Sequence, residues 1–452
     1  MHKKHYVQLT KSMIPELFKK RCPTVDPEPF VAAAHVFPMR VNNHVTENLI
    51  DWSNIPNDPL FQLSFPQPRM LYPSELSAII AQMREPGVTK VTMQNISESV
   101  RARLNPHPAG QKEENVPRVD GVKMPGMQHK YRETVLFFPS EGQFCHAFCT
   151  YCFRWAQFTS VGSGQTFKSN NASQLQRYIQ THKEVKDVLI TGGDPMVATA
   201  DTLRSYIQPL LSSDNLEHLA TIRIGTKSLA WWPYRYLLDP DAKDVLNLFS
   251  EVVASGRQLA IQAHFSHPRE LEVPATQEAI RLIRQTGAQI RCQGPLIRNI
   301  NNSSETWAHL WSLQVRLGLI PYYMFVERDT GARDYFSIPL AEAFKIYSGA
   351  YSRLPGTART ARGPSMSAGP GKVAVVGDTV VAGERVFALK FLQARNPNWC
   401  DEIFFAKWSP DATWLTDLKP AFGQDKFFFE DEYSDIAMRA DEGSSGQLSA
   451  LM

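Results

Sequence analysis

Little in this chain is one-sided, and what it lacks narrows its class. Lysine and arginine number 48 against 45 aspartates and glutamates, with both signs spread along the 452 residues. There is no basic stripe to grip nucleic acid, and none is expected as a partner. Long apolar runs are absent, and the opening MHKKHYVQLTKSM has lysines with no hydrophobic stretch behind them. The expectation is a soluble, cytoplasmic protein with no membrane partner. Cysteine is scarce, six in all, and Cys22, Cys292 and Cys400 stand alone. A disulfide framework is therefore not expected.

What is present is a change of rhythm along the chain. Residues 1–127 read as a helical and irregular N-terminal region in which PELFKKRC, SELSAIIAQM and ISESVRARL show helical spacing between Pro-rich joints. Its last part, 105–127, is polar and Pro/Gly-rich, like a linker or strap. Six β-rich runs then follow, TVLFF, DVLIT, TIRIG, LAIQAHF, QIRCQGPLI and IPYYMFV, separated by amphipathic helical runs such as KDVLNLFSEVV and TQEAIRLIRQ. This alternation predicts an α/β fold over 128–378, a parallel sheet with right-handed crossovers that is either open or a partial barrel. Either form binds ligands at the C-terminal ends of its strands. Residues 379–430 carry aromatic-rich strand-like pieces and read as a small C-terminal cap. Residues 431–452 are acidic and small, and are expected to be a disordered tail.

The other three cysteines, Cys145, Cys149 and Cys152, fall in FCHAFCTYCFRW just after the first predicted strand. Three thiolates at the spacing C-x3-C-x2-C would leave one iron of a 4Fe-4S cluster without a protein ligand and open to a small molecule. The alternative, a structural zinc, needs a fourth ligand, for which only His146 is at hand locally. Polar groups also end the later strands, in TGGDP (191–195), IRIGTK (222–227), HFSHPRE (264–270) and QGPLIRNIN (293–301).

The cysteine spacing and position resemble the radical S-adenosylmethionine superfamily. The ordered set CxxxCxxCxR, LITGGDP, IRIGT, HFxHPxE, QxxLxRxxN and PYY is similar, more narrowly, to the lysine 2,3-aminomutase family, over about residues 129–378. That resemblance implies a partial (β/α)6 barrel of the radical SAM type. It implies a 4Fe-4S cluster on Cys145, Cys149 and Cys152, S-adenosylmethionine as the radical source, and pyridoxal 5′-phosphate (PLP) to carry an amino group from C2 to C3 of an amino acid. It implies that Lys372, in SMSAGPGKVAVVG, is the Schiff-base lysine, although Ala368, Gly369, Pro370 and Gly371 replace the family's four glycines. Arg154 would hold the substrate α-carboxylate. Gly192, Gly193, Asp194, Thr226, His264 and Gln293 would line the cofactors, and Lys130 and Tyr131 would take the place of the family's Arg-Tyr phosphate pair. The family's second phosphate arginine falls on Thr134, with Arg132 nearby.

Two departures bear on substrate and assembly. Where lysine-specific members place two aspartates toward the substrate ammonium, this chain has Arg328 and Ser365. A buried arginine favours a carboxylate over a cation, which makes glutamate the first choice. A one-residue slip would instead bring Glu327 or Asp329 forward, and with it lysine. Cys400 alone lies where members carry a C-terminal zinc site, so no such zinc is expected. A homo-oligomer and an electron donor such as flavodoxin or ferredoxin are implied by the resemblance. The same residues also allow a radical enzyme without migration, or an iron-sulfur sensing protein with no catalysis.

Overall fold

The computed structural model describes residues 4–105, 115–119, 122–159, 167–211 and 215–445. Two short antiparallel pairs come first: β1 (Gln8–Thr10) with β2 (Arg40–Asn42), and β3 (Arg118–Val119) with β4 (Val122–Lys123). The latter pair lies inside the segment read as a linker, of which 106–114 and 120–121 are outside the described residues.

Eleven strands then form one sheet in chain order. They are β5 (Met127–Tyr131), β6 (Thr134–Phe137), β7 (Asp187–Ile190), β8 (Thr221–Thr226), β9 (Gln258–His264), β10 (Gln289–Leu296), β11 (Ile320–Val326), β12 (Arg362–Ser367), β13 (Gly371–Val381), β14 (Glu384–Ala394) and β15 (Ile403–Lys407). From β6 to β12 every neighbouring pair is parallel, and β5 and β13–β15 flank that set antiparallel. The six expected strands are β6–β11, each followed by a helix.

The pleat sorts the side chains of these strands into two sets. Val135, Phe137, Val188, Ile190, Ile222, Ile224, Leu259, Ile261 and Ile290 are buried in one apolar core with Leu175, Leu203, Leu248 and Ile283 of the covering helices. Their alternates, among them Asp187, Arg223, Gln262, Arg291 and Gln293, contact one another on the opposite, concave face. The sheet curls so far that Lys130 Nζ on β5 donates to the Ala368 carbonyl in the turn between β12 and β13. This is the partial barrel, with its lumen as the place for a site.

Three boundaries need correction. A seventh parallel strand, β12, joins the six expected ones; RGPSMS has small residues and a proline and no strand pattern, and its strand form comes from pairing with β11 and β13. The division at 378/379 falls inside β13, so the C-terminal part is not a separate cap but extends the barrel's own sheet around a second core of Val375, Leu389, Phe391, Trp399 and Phe404. The stretch expected to be disordered from 431 carries a helix, Glu430–Ser445, with residues 446–452 outside the described set. Glu430, Asp431 and Glu432 suit the positive end of its dipole. Trp399 Nε1 donates to Glu432 at 2.9 Å, and Tyr433 and Ile436 pack on that second core.

Candidate active site

The first constituent of the site is the loop after β6. Cys145, Cys149 and Cys152 all lie on it, free of disulfides, and it is tied down mostly by main-chain hydrogen bonds. Phe148 N donates to Arg40 O at 2.8 Å and Thr150 N to Leu63 O at 2.9 Å, so the N-terminal region clamps the loop from outside. Asn42 Nδ2 and Tyr6 Oη both donate to the His146 carbonyl, at 3.1 and 2.8 Å. Arg40 lays its guanidinium over the rings of Phe144 and Phe148, 5.1 and 5.2 Å away.

The TGGDP segment packs on the other side of this loop. A Cβ at Gly192 would come within 2.6 Å of the Gly142 carbonyl, and one at Gly193 within 2.6 Å of the Phe144 carbonyl. Glycine is required at both for the two loops to touch. Asp194 closes the contact, its amide donating to Phe144 O at 2.7 Å. The Asp194 carboxylate accepts from Met196 N at 3.0 Å, Thr226 Oγ1 at 2.7 Å and Lys227 N at 3.0 Å, and burial still lifts its pKa to about 6. Asp194 and Thr226 thus join the loops after β7 and β8 to each other.

Burial raises the pKa of all three thiols, to about 12 for Cys152; Asp194, Cys152 and Cys149 raise Cys145 further, and Cys149 raises Cys152. Three uncrosslinked thiols on one loop, near enough to act on one another electrostatically, suit a cluster of several irons, whose charge would reverse that shift and take them as thiolates. Among the described residues no three His, Cys, Asp or Glu side chains converge so as to hold a single metal ion.

Beside Cys149 lies a buried ion pair that the sequence reading passed over. Lys227 Nζ reaches Glu270 Oε1 at 2.7 Å and sits 4.7 Å from the Trp231 ring centre. Glu270 Oε2 accepts from Ser266 N and His267 N, at 2.5 and 3.0 Å. The sequence signal was there: Lys227 directly follows IRIGT, and Glu270 ends HFSHPRE. Tyr151, between the cysteines, meets His264 Nδ1 at 3.2 Å. Burial, then Lys227, push His264 down to about 3, so it is a neutral imidazole. Gln293 Oε1 accepts from Gln262 Nε2 at 3.0 Å, deeper in the lumen.

The second constituent is the lysine end. Lys372 opens β13, donates to Gln393 Oε1 at 3.2 Å and lies 4.0 Å from the centre of the Tyr323 ring. Burial, then Arg223, Arg362 and Arg328, bring its pKa down to about 7. A good share of this amine is therefore neutral at neutral pH, as a Schiff-base nucleophile must be.

Arg154 and Arg328 meet around Phe153, 5.5 and 4.6 Å from its ring centre, and Arg154 also lies 4.2 Å from that of Phe138. Burial lowers the Arg154 pKa to about 10, and Arg328 adds to this. Neither has an acid within ion-pair distance among the described residues, and Arg154 Nη1 is buried without a hydrogen-bond partner. Tyr131 stands near Arg328 and Arg395, its hydroxyl raised to about 12 by burial. Ser365 is fully buried and donates to Met324 O at 3.3 Å. Glu327 and Asp329, the residues a slip would bring forward, lie elsewhere: Glu327 is buried near Arg333, and Asp329 lines a surface pocket of about 350 Å³ with Arg69 and Arg333.

A partial barrel of seven parallel strands, with three free thiols at its mouth and a buried lysine of lowered pKa in its lumen, has the make-up of a cofactor-dependent enzyme. No family model matches the chain. A protein from Aquifex aeolicus named "Putative L-lysine 2,3-aminomutase" is 30% identical over 296 residues, 66% of this chain and 75% of that one. The L-lysine 2,3-aminomutases of Fusobacterium nucleatum and Clostridium subterminale are each 25% identical, over 57% and 50% of this chain. The chain covers 57% and 50% of their own lengths, so it spans about half of these two relatives. Native anSMEcpe with bound AdoMet and Cp18Cys peptide aligns over 48% of this chain and 58% of its own at 12% identity and a TM-score of 0.35; the fold rests instead on the strand order above. The chain belongs to the lysine 2,3-aminomutase family, a radical SAM family that implies a 4Fe-4S cluster and S-adenosylmethionine.

Proposed function

We propose that this enzyme is an amino acid 2,3-aminomutase that uses PLP and acts on a substrate with an acidic side chain, glutamate first. The observation that carries this reading is the pair Arg154 and Arg328, two guanidinia around one phenyl ring with no acid within ion-pair distance among the described residues, Asp329 acting on Arg328 only from further off. Leaving two buried cations unpaired is costly, and a molecule with two carboxylates removes the cost at both. A lysine side chain would place an ammonium against Arg328 and meet repulsion instead.

Each residue then has a task that needs no geometry beyond its own. Cys145, Cys149 and Cys152 hold the cluster, and Arg154 fixes the α-carboxylate through its fork. Lys372, part of whose amine is neutral at neutral pH, would hold the PLP carbonyl. Ser365 leaves the wall beside β12 uncharged, and His264 presents a ring that carries no charge. When bound, the cluster and S-adenosylmethionine supply a hydrogen-abstracting radical, and PLP supplies the conjugated carrier of the amino group. An electron donor such as a flavodoxin or ferredoxin would reduce the cluster.

The test is anaerobic reconstitution with iron, sulfide and PLP, followed by S-adenosylmethionine, reductant and carbon-13 glutamate, with lysine, aspartate and alanine in parallel. Formation of β-glutamate, read by NMR, is the expected result. Conversion of lysine but not glutamate would overturn the substrate assignment, and 5′-deoxyadenosine without any β-amino acid would overturn migration.

A further inference from the structure

The lumen holds more positive charge than the substrate arginines account for. Three further guanidinia reach it: Arg223 from β8, Arg291 from β10 and Arg362 from the first position of β12. Arg362 lies over both Tyr322 and Tyr323, 4.6 and 4.3 Å from their ring centres, and Arg291 is 5.4 Å from that of Tyr322. Tyr323 is also the ring under Lys372 Nζ, so this cluster adjoins the lysine amine.

One acid answers the three. Arg223 Nε donates to Asp187 Oδ1 at 2.8 Å, and Asp187 also accepts from Thr134 Oγ1 at 3.2 Å. Among the described residues Arg291 and Arg362 have no acid within 4 Å, and Arg291 Nη2 donates to the neutral Gln289 Oε1 at 3.0 Å. The surplus is two positive charges, held by rings and strands rather than by counter-ions. The complement is a compact dianion with several acceptor oxygens, which is what a phosphate monoester is.

Of the positions that the family resemblance assigns to phosphate, Tyr131 offers a neutral hydroxyl, and the two that should bring positive charge are engaged elsewhere. Lys130 Nζ donates to the Ala368 carbonyl and so braces the turn that leads into Lys372. Thr134, in the place of a second arginine, brings only a hydroxyl, already spent on Asp187.

We propose that Arg223 and Arg362, with Arg291 behind Tyr322, form the phosphate site for PLP in this chain. The phosphate site has moved from β5 and β6 to β8, β10 and β12. This inference rests on the reading of Lys372 as the PLP lysine, and the same cluster would discriminate a phosphorylated carrier from its unphosphorylated form.

The experiment is titration of the full-length protein with PLP and, separately, with pyridoxal, following the visible absorbance of the bound aldehyde. Borohydride trapping and peptide mass would locate the attachment. Wild type should take PLP on Lys372 and prefer it to pyridoxal by at least a hundredfold. Arg362→Gln and Arg223→Lys should each weaken PLP at least tenfold and leave pyridoxal within twofold, while Arg362→Lys should restore part of the loss, provided thermal unfolding shows each variant folded. Wild type that takes no PLP at Lys372 would overturn both the proposed function and this inference. Normal PLP loading with an unchanged PLP to pyridoxal ratio in folded Arg362→Gln and Arg223→Lys would overturn the inference alone; a ratio that collapses in Lys130→Met instead would return the phosphate to β5.

Discussion

The two ends of the lumen are built by different means. The cysteine loop is one contiguous stretch, held by main-chain hydrogen bonds from β2, from the segment around Leu63 and from the TGGDP turn. The lysine end is assembled from single side chains of β8, β10, β11, β12 and β13, held by rings and guanidinia. Main-chain bonds tolerate many side chains and fix where a loop runs; side-chain assemblies fix what a pocket binds and change with single substitutions. Single substitutions should therefore change what the lysine end binds more readily than where the cysteine loop runs.

The sharpest way to break that division is to disable each end separately. Cys149→Ser should abolish iron-sulfur absorbance and 5′-deoxyadenosine formation altogether, yet leave PLP loading within twofold of wild type. Lys372→Ala should do the opposite, losing covalent PLP entirely while reductive cleavage of S-adenosylmethionine persists. If either variant loses both functions while thermal unfolding shows it folded, the ends are not independent.

Next in size is Glu270→Gln, beside the cluster end. Glu270 is fully buried and paired with the nearly buried Lys227, and removing one charge of such a pair costs about 3–5 kcal/mol. Urea unfolding of the metal-free chain should show a loss on that scale; a loss near zero would mean that Lys227 finds another acceptor, such as Ser266 Oγ at 3.3 Å. At the lysine end, Arg328→Ala should lower kcat/KM for glutamate by about 2–3 kcal/mol, roughly 30- to 150-fold, the worth of a charge-assisted hydrogen bond. An unchanged kcat/KM would remove Arg328 from the substrate.

What could be read from the sequence follows the same division. The parallel alternation and its six strands were legible because each strand buries alternate apolar residues under an amphipathic helix, a local pattern. The cysteine trio was legible because its meaning lies in spacing. Arg223 and Arg362 were not, since a lone arginine in a strand says nothing until the sheet curls and brings β8, β12 and Lys372 together; Lys227 and Glu270 stood in the quoted strand ends, but only the fold shows that they pair. Strand β12 and the helix Glu430–Ser445 were missed for a related reason: RGPSMS has no strand pattern of its own, and an acidic tail reads as disordered until Trp399 and the second core give it something to dock on.

The smallest effects test whether the N-terminal region serves the cluster end alone. Asn42 is fully buried and donates to two carbonyls, His146 O at 3.1 Å and Trp231 O at 2.9 Å, and accepts from Val45 N at 3.1 Å. Asn42→Ala orphans these groups and should cost about 2 kcal/mol. Tyr6→Phe removes a single bond to the same His146 carbonyl, 2.8 Å long and only part-buried, and should cost about 1 kcal/mol or less. Both bonds end on the residue next to Cys145, so both variants should release iron faster to a chelator, Asn42→Ala more than Tyr6→Phe, with PLP affinity unmoved. A change in PLP affinity of equal size would mean that strain at the cysteine loop is transmitted down the barrel to Lys372, and that the lumen is one unit whose two ends differ only in how they are tied.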